Sequence, residues 1–429
     1  MLPTGTVSFS TTLTIPAYCT IQGQGMGVSK LLLAANTQLI SPAAITNTRE
    51  PLVAPGTLDN NINLTSFTLD LNTADQTSGS AAIWMANVDF FNMDGIEVNG
   101  GMVHLGGATS ITDNTVASYT HDISITNSVI HNAGVVPFIA ADALQLLALN
   151  VKVSNNTLGP STDSGIGLLG AGTSNIQITD NTFTGNPQTC GVAGGPTVGN
   201  VPGPPNAGRL VNYVTITGNT ILCGGSAGFG INGALANHWV IANNIITNIA
   251  ASNGSQVSPA IALEAVTDIT ITGNSIIGAQ DGGIYIMAQS DELTENVVIS
   301  GNTIRNPNKY GILLESFSDT NPGSTLANVT VSGNVIVNPG VGGAYPGIEV
   351  AQDGFGGGVA AYTNVIITGN SILDDRLTPT MNYGILYLGC PTVTVGNNAI
   401  SGATIAPSST NCGLVTAYFD VMRDPVNSQ

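Results

Sequence analysis

A short motif that recurs along the chain limits its fold more than any other feature. Each copy has β-forming residues at alternating positions, then a small polar residue, Gly or Asn, an Asn, a small residue and an apolar residue. Examples are IQITDNTF at 176–183, VTITGNTI at 214–221 and VTVGNNAI at 393–400, and successive copies lie 25 to 38 residues apart. A constant element followed by a remainder of variable length is typical of stacked coils with loops of different length.

Each copy predicts a short strand that ends in a tight bend. Alternation directs the apolar side chains of the strand to one face, the interior. Asn tolerates the left-handed backbone of such bends, and Gly tolerates it better. Stacked Asn side chains can also hydrogen-bond to each other along the axis, so we interpret the recurring Asn as structural. This column consists of Asn127, Asn156, Asn181, Asn219, Asn244, Asn274, Asn302, Asn334, Asn370 and Asn398.

A second strand precedes each motif, usually after a Gly or Ala that allows a sharp turn. Clear examples are AIALE at 260–264, GIYIM at 283–287 and GILLE at 311–315. Long loops follow these strands, and long loops on one side of a solenoid often mark its binding face. The two strand types together predict an all-β protein, a parallel β-helix of about ten or more coils.

We expect a single domain over the whole chain. Residues 1–35 are interpreted as the N-terminal cap and first coil, 36–398 as the coils and 399–429 as the C-terminal cap. The Gly- and Pro-rich stretch 185–208 is predicted to be one long inserted loop.

The charge composition bears on the partners of the chain. Only 8% of residues are charged and the net charge is −18, so the surface repels nucleic acid phosphates. It also disfavours polyanionic glycans, which makes neutral ligands the better expectation. No apolar run approaches the ~18 residues of a transmembrane helix, and Met1-Leu2-Pro3 lacks the charged and apolar segments of a signal peptide.

The cysteines suggest two disulfides. Cys190 and Cys223 flank the predicted inserted loop, and Cys390 and Cys412 bracket the last coil, which leaves Cys19 unpaired. The alternative is five buried thiols that act as small hydrophobic groups. No Cys-x-x-Cys pair occurs and the four histidines lie on separate coils, so no metal site is predicted.

Two N-terminal segments carry a resemblance to a known superfamily. TLTIPAYCTIQGQGMGVSKLLLA at 12–34 looks like a strand–turn opening coil, and NINLTSFTLDLN at 61–72 is similar to a second coil with Asp70 in the usual acidic place. The chain thus resembles the pectate-lyase-like superfamily of right-handed parallel β-helices. The resemblance implies a right-handed helix that works outside the cytoplasm, secreted or at the cell surface or in the periplasm. A homotrimer packed along the helix axes is common among such relatives.

The superfamily includes polysaccharide lyases, glycoside hydrolases, fructan transferases, epimerases, phage tailspikes and adhesins, and no motif here matches the catalytic signature of one family. Glycoside cleavage commonly needs two carboxyl groups, ~5–5.5 Å apart for retention or ~6.5–9.5 Å apart for inversion. When the second strands are aligned by their first Ile, Glu264, Glu315 and Glu349 fall on one outward strip. Glu264 and Glu315 are two rungs apart, an inverting-type spacing, whereas Glu315 and Glu349 lie on adjacent rungs, nearer to retention. The alternative is ordinary solvated carboxylates.

Further residues of the same face are predicted to bind substrate: Trp84, Gln145, Asn232, Tyr285, Gln352 and Asp353. A lyase would instead use a base and cations, for which Arg305 and Lys309 form the densest basic cluster. Acids of neighbouring loops could bind Ca²⁺, although no loop has a defined calcium motif, and solubilising charges are the alternative. These acids are Asp281, Asp291, Glu292, Glu295 and Asp319.

These features favour an enzyme that cleaves or rearranges glycosidic bonds of a neutral polysaccharide through paired carboxylates. A polysaccharide lyase of the pectate-lyase-like type is the first alternative. A non-catalytic glycan-binding or surface protein is the second. Apart from Ca²⁺, no cofactor is expected.

Overall fold

The computed structural model describes residues 1–35, 43–47, 58–75, 81–106, 120–134, 142–169, 173–186, 189–194, 211–224, 228–247, 249, 258–288, 293–317, 325–353, 361–387 and 392–405. In these ranges the chain forms three all-parallel sheets of 14, 13 and 13 strands, and successive strands of the chain belong to successive sheets. A 3₁₀ turn lies at Thr73–Asp75. This is the predicted parallel β-helix.

Sheet 1 contains the short strands that follow the Asn bend: β1 (Gly5–Phe9), β4 (Ser29–Leu33), β7 (Thr68–Asp70), β10 (Glu97–Asn99), β13 (Val129–His131), β16 (Thr157–Leu158), β19 (Thr182–Thr184), β22 (Thr220–Leu222), β25 (Ile245–Thr247), β28 (Ser275–Ile277), β31 (Thr303–Arg305), β34 (Val335–Val337), β37 (Ser371–Leu373) and β40 (Ala399–Ser401).

Sheet 2 contains the predicted second strands: β2 (Leu13–Ile15), β5 (Ala43–Asn47), β8 (Ala81–Met85), β11 (Val103–Leu105), β14 (Leu144–Leu146), β17 (Ser164–Leu168), β20 (Thr189–Gly194), β23 (Phe229–Ala234), β26 (Pro259–Glu264), β29 (Gly282–Ala288), β32 (Tyr310–Phe317), β35 (Ile348–Asp353) and β38 (Ile385–Tyr387).

Sheet 3 contains the alternating strands of the motif: β3 (Thr20–Gln22), β6 (Asp59–Thr65), β9 (Val88–Asp94), β12 (His121–Thr126), β15 (Leu149–Ser154), β18 (Ser174–Thr179), β21 (Val211–Thr217), β24 (Ala236–Ala242), β27 (Thr267–Thr272), β30 (Leu293–Ser300), β33 (Thr325–Ser332), β36 (Ala361–Thr368) and β39 (Val393–Gly396).

Three rungs of sheet 2, β5, β11 and β20, were not recognised in the sequence. Strand β11 follows Gly101-Met102 and is only three residues long, and β20 lies inside the stretch 185–208 that was predicted to be one inserted loop. That prediction was wrong for residues 189–194, which pair with β17 and β23. The strand was missed because TCGVAG has few β-branched residues. The predicted boundary between the coils and the C-terminal cap also differs from the structure, because β40 at Ala399–Ser401 is still a strand of sheet 1.

The predicted Asn column is confirmed from Asn156 onward. Each side-chain amide donates to the Oδ1 of the next Asn at 2.9–3.0 Å, as far as Asn398. Backbone N–H groups of the ladder donate to the same oxygens, and the side chains are at most 2% exposed. Because every buried amide is paired, the column closes the bends without the cost of unsatisfied polar groups.

The prediction placed the first member of the column one residue too early in the sequence. Ser128 occupies the ladder position, and its backbone N–H donates to Asn156 Oδ1 at 2.9 Å. Asn127 instead takes the left-handed conformation with a φ of 51°. The equivalent residue of other coils, such as Asn155 or Gly218, is left-handed too, so the residue before the ladder makes the bend.

Trp239 fills the interior between the sheets. It is fully buried and its indole N–H donates to Val211 O at 2.9 Å, which confirms that it serves in packing. A Cβ at Gly194 would lie 2.4 Å from Trp239 Cη2, so only glycine fits beside the indole ring.

Gly194→Ala is therefore expected to lower the free energy of unfolding by about 1–3 kcal/mol, as overpacked core substitutions do. Gly396→Ala is the matched control, because a Cβ there would meet nothing within 4 Å. Denaturant unfolding of the two variants measures the difference. Equal stabilities would show that the backbone of β20 moves to accept the methyl group.

One of the two suggested disulfides is present. Cys190 and Cys223 are bonded with Cα atoms 5.4 Å apart, and they tie β20 to the segment after β22. Cys390 and Cys412 lie outside the described residues. Cys19 is unpaired, as expected.

Candidate active site

The outer face of sheet 2 carries the predicted glutamate strip. The register aligns Ala262, Tyr285, Leu313, Glu349 and Leu386 in one row on successive rungs. A parallel row contains Ala234, Glu264, Met287, Glu315 and Ala351. From β8 onward, the alignment by the first Ile therefore gives the rows that the strands form, apart from the omitted rungs β11 and β20, which add His104 and Ala193.

The spacing of the three glutamates follows from this register. Glu264 and Glu315 are two rungs apart with Met287 between them, so their Cα atoms are ~9.6 Å apart. Glu315 and Glu349 are on adjacent rungs but in different rows, because Glu349 pairs with Leu313. Their Cα atoms are thus diagonal and about 8 Å apart, wider than direct neighbours at ~4.8 Å.

Glu349 has a strongly perturbed carboxyl group. Its side chain is 8% exposed, and burial raises its pKa to about 7. Burial also raises the pKa of Glu264. A carboxyl group with a pKa near 7 is partly protonated at neutral pH, which is what a general acid requires.

Tyrosines surround the glutamates. The Tyr285 hydroxyl donates to Glu315 Oε2. The Tyr362 hydroxyl accepts from the Ser316 N–H at 3.0 Å and donates to Ala351 O, so it links β32 to β35. We call Tyr285, Tyr310, Glu315, Glu349 and Tyr362 the glutamate–tyrosine site.

Tyr310 and Tyr362 remain protonated at neutral pH. Burial, with the negative charge of Glu349 as the next cause, raises the pKa of Tyr310 to about 12. Burial is also the main cause that raises the pKa of Tyr362, to which the charges of Glu315 and Glu349 contribute. The hydroxyl groups of Tyr285 and Tyr362 already donate to Glu315 and to Ala351 O, so the site offers a sugar ring aromatic surface and the hydroxyl group of Tyr310.

The two basic residues of the lyase alternative have different surroundings. Arg305 is exposed and belongs to β31 of sheet 1. Lys309 forms an ion pair of 2.7 Å with Asp281, whose second oxygen accepts from the Ser258 N–H at 2.6 Å. Lys309 is thus held beside Tyr310 at the edge of the site, where its charge is compensated.

Trp84 and Gln145 lie far from the glutamates on the same face. Nine rungs separate the rung of Trp84 from that of Glu349, or ~43 Å. Trp84 is 4% exposed and packs edge-on against His104, whose Nδ1 lies 3.0 Å from Gln145 Oε1. Gln145 donates to Asp142 Oδ2 at 2.9 Å, and burial raises the pKa of Asp142 to about 6.

Trp84 and Gln145 therefore belong to a buried hydrogen-bonded cluster, and Asn232, partly exposed, lies between that cluster and the glutamates. Gln352 and Asp353 end β35, one rung from Ser316 and Phe317, and their side chains are outside the described residues.

The suggested calcium ligands are only partly described. Asp281 is paired with Lys309, and Glu295 lies on sheet 3. Asp291, Glu292 and Asp319 are outside the described residues.

Sequence reasoning missed Tyr310, Tyr362, His104 and Asp142. Tyr310 stands directly before the Gly that opens its strand, and this position could have marked it as a neighbour of the outward row. Tyr362 is the second residue of β36, a strand of sheet 3, and its hydroxyl group bonds to strands of sheet 2. The sequence around Tyr362 contains no pattern that indicates this contact.

Comparison with known proteins supports the fold. A family model described as "Right handed beta helix region" matches residues 206–355. Bacteriophage phi29 gene product 12 is similar over 97% of this chain and 54% of its own, with 13% identity and a TM-score of 0.58. The Streptococcus pneumoniae surface protein and adhesin PfbA is similar over 93% and 90%, with 12% identity and a TM-score of 0.50.

A GH87 α-1,3-glucanase from Streptomyces thermodiastaticus is similar over 94% of this chain and 63% of its own, with 17% identity and a TM-score of 0.46. The chain spans about half the length of the phage protein. No curated protein matches the sequence. The predicted right-handed parallel β-helix, and the resemblance to the pectate-lyase-like superfamily at the level of fold, are confirmed. Among the described residues, no helix is long and apolar enough to span a membrane.

Proposed function

We propose that the protein is a glycoside hydrolase or transglycosylase that acts on a neutral polysaccharide at the glutamate–tyrosine site. The observation that carries this proposal is the pair Glu349 and Glu315 on adjacent rungs of one face, with the pKa of Glu349 raised to about 7 by burial. Glu349 is the general acid, which protonates the glycosidic oxygen as the bond to the anomeric carbon breaks.

Glu315 is the second carboxyl group of the proposal. Tyr285 donates to its Oε2 and so helps to fix the orientation of the carboxylate that activates a water molecule or attacks the anomeric carbon. Glu264 lies two rungs from Glu315 in the same row but three rungs from Glu349, so it is too far from Glu349 to replace Glu315 as its partner. The Cα separation of about 8 Å between Glu315 and Glu349 favours the inverting geometry, which needs room for water between the carboxyl groups.

The substrate class follows from charge. The net charge of −18 disfavours polyanions, and the only described cation beside the site, Lys309, is paired with Asp281. A lyase needs a free base and cations that stabilise an enolate, so this ion pair weakens that alternative. The Cys190–Cys223 disulfide supports a location outside the reducing cytoplasm.

A panel of neutral and acidic polysaccharides, incubated with the protein, tests the proposal. New reducing ends without absorbance at about 235 nm are expected, since hydrolysis leaves no double bond. Absorbance would identify a lyase. If neither readout responds and product analysis finds no transfer or ring-closed product, the protein is a glycan-binding or surface protein.

The pH profile of the reaction is a separate prediction. Because Glu349 must be protonated and burial raises its pKa to about 7, kcat/KM is expected to fall by about tenfold per pH unit above that value. Initial rates from pH 4 to 9, on a substrate that the panel identifies, measure the profile. A rate that stays constant to pH 9 would remove Glu349 from the acid role.

A further inference from the structure

Stacking brings a histidine and two aspartates together on sheet 3, away from the glutamates. His121 Nδ1 lies 2.9 Å from Asp122 Oδ2 and 3.1 Å from Asp89 Oδ1. These three ligand atoms all lie within 4.8 Å of one another. The sequence did not reveal the group, because Asp89 is a full coil before His121 and only the register places them on adjacent rungs.

Hydrogen bonding within the chain does not satisfy this group. The single proton on Nδ1 of a neutral imidazole serves one acceptor, and Asp122 takes it. Asp89 Oδ1 is buried and accepts no hydrogen bond from the described residues, although it faces the same nitrogen. Two carboxylate oxygens therefore meet at one ring nitrogen with one proton between them.

A second buried oxygen lies on the neighbouring rung. Asn60 pairs with Asp89 in the register, as Asp89 does with His121, so the three residues form one row. Asn60 Oδ1 is buried and also accepts no hydrogen bond from the described residues. Buried acceptors without a donor are rare, and an ion that accepts their lone pairs is one of the few explanations for them.

From this geometry we propose a binding site for a divalent transition-metal cation of the Zn²⁺ type. Its ligands are His121 Nδ1, Asp89 Oδ1 and Asp122 Oδ2, and Asn60, the register partner of Asp89 on the neighbouring rung, is the candidate for a fourth ligand. Tetrahedral Zn²⁺ with bonds of about 2.0–2.1 Å holds its ligand atoms about 3.3 Å apart, close to the observed 2.9 and 3.1 Å. An imidazole ligand favours Zn²⁺ over Ca²⁺, which takes oxygen ligands.

The ion would connect β6, β9 and β12 across three successive rungs. These strands belong to sheet 3, whereas the glutamates are on sheet 2, so the metal site is independent of the proposed reaction. Its expected contribution is to the stability of the N-terminal coils, since an ion that binds only the folded state stabilises that state.

Zn²⁺ titration of the EDTA-treated, dialysed full chain tests this proposal, with bound metal measured by equilibrium dialysis and mass spectrometry. We expect one ion per chain at micromolar Zn²⁺, and more than about tenfold weaker binding in His121→Gln and Asp89→Asn. His238→Gln is the matched control, because His238 is on the same sheet but contacts one carboxylate, Asp268, at 3.5 Å. Circular dichroism checks that the variants fold.

A second measurement uses the unaltered protein and does not depend on variant folding. Zn²⁺ is expected to protect His121, but not His238, from diethyl pyrocarbonate, with both sites read by peptide mass spectrometry. Absence of stoichiometric binding by the wild type, equal affinity in His121→Gln, or equal modification of His121 with and without Zn²⁺ would each overturn the site.

Discussion

Glu349→Gln is expected to lower kcat by about 10²–10⁴-fold, because the amide cannot donate a proton to the leaving oxygen. That loss corresponds to about 3–5 kcal/mol of transition-state free energy. The effect is expected to be large because Glu349 is buried: burial raises its pKa, and it keeps away bulk water that could act as the acid in place of Glu349. Steady-state kinetics on the polysaccharide that the panel identifies measure kcat and KM separately.

Glu295→Gln is the control for this prediction. Glu295 lies on sheet 3, where it pairs with Thr267 and Ala327, and it has no part in the proposed chemistry. Its activity is expected to equal that of the wild type. The acid assignment fails if Glu349→Gln keeps more than a tenth of the wild-type kcat. Substrates with a leaving group of low pKa should partly restore the variant, since they depart without protonation.

Asn274→Ala is expected to destabilise the protein by about 2–5 kcal/mol. Asn274 Oδ1 accepts from the backbone N–H and the side chain of Asn244, and Asn274 Nδ2 donates to Ile241 O and Asn302 Oδ1. Alanine removes the side chain but leaves the Asn244 N–H and Ile241 O buried, and each unsatisfied group costs ~1–3 kcal/mol. The change in unfolding midpoint in urea measures the loss.

The matched control is Asn328, which belongs to a second row of hydrogen-bonded asparagines that lies on the surface. Asn328 donates to Asn296 Oδ1 at 3.1 Å and accepts from Asn364 at 3.0 Å, but on the surface. Its φ of 53° makes glycine the suitable replacement, because glycine keeps the left-handed conformation. Asn328→Gly is expected to change stability by less than about 0.5 kcal/mol. Equal losses in both variants would show that burial of the inner ladder is not what makes it stabilising.

Much of the fold could be predicted from the sequence because its repeat is both local and periodic. In the coils from Asn156 to Asn398, the alternating strand and the Asn that follows it meet the same two demands, an apolar interior and a paired buried amide. Where one of these signals weakens, the prediction fails. Strand β20 has little alternation, and at 126–128 the adjacent Asn127 and Ser128 allowed the column to be read one residue out of register.

The candidate site was predictable only in part. The outward rows follow from strand alternation, so Glu264, Glu315, Glu349 and Tyr285 were found together. Burial was not predictable, because it depends on what packs above each side chain. Trp84, which was predicted to bind substrate, lies buried against His104. The neighbours that matter chemically, such as Asp89 beside His121, are a whole coil apart in sequence and meet only through register.

The inner Asn ladder has a direction. Every side-chain amide from Asn156 to Asn370 donates one hydrogen bond to the next Asn toward the C-terminal end, and its oxygen accepts from the N-terminal side. The amide dipoles along this chain of bonds therefore add head to tail, as peptide dipoles do in an α-helix, and each bond polarises the next. The bonds in the middle of the ladder are thus strengthened from both sides. The two ends of the ladder differ: a backbone N–H of Ser128 donates to its first oxygen, whereas Asn398, its last described member, keeps the bond to a carbonyl of the preceding coil, Ile367 O, that every member makes.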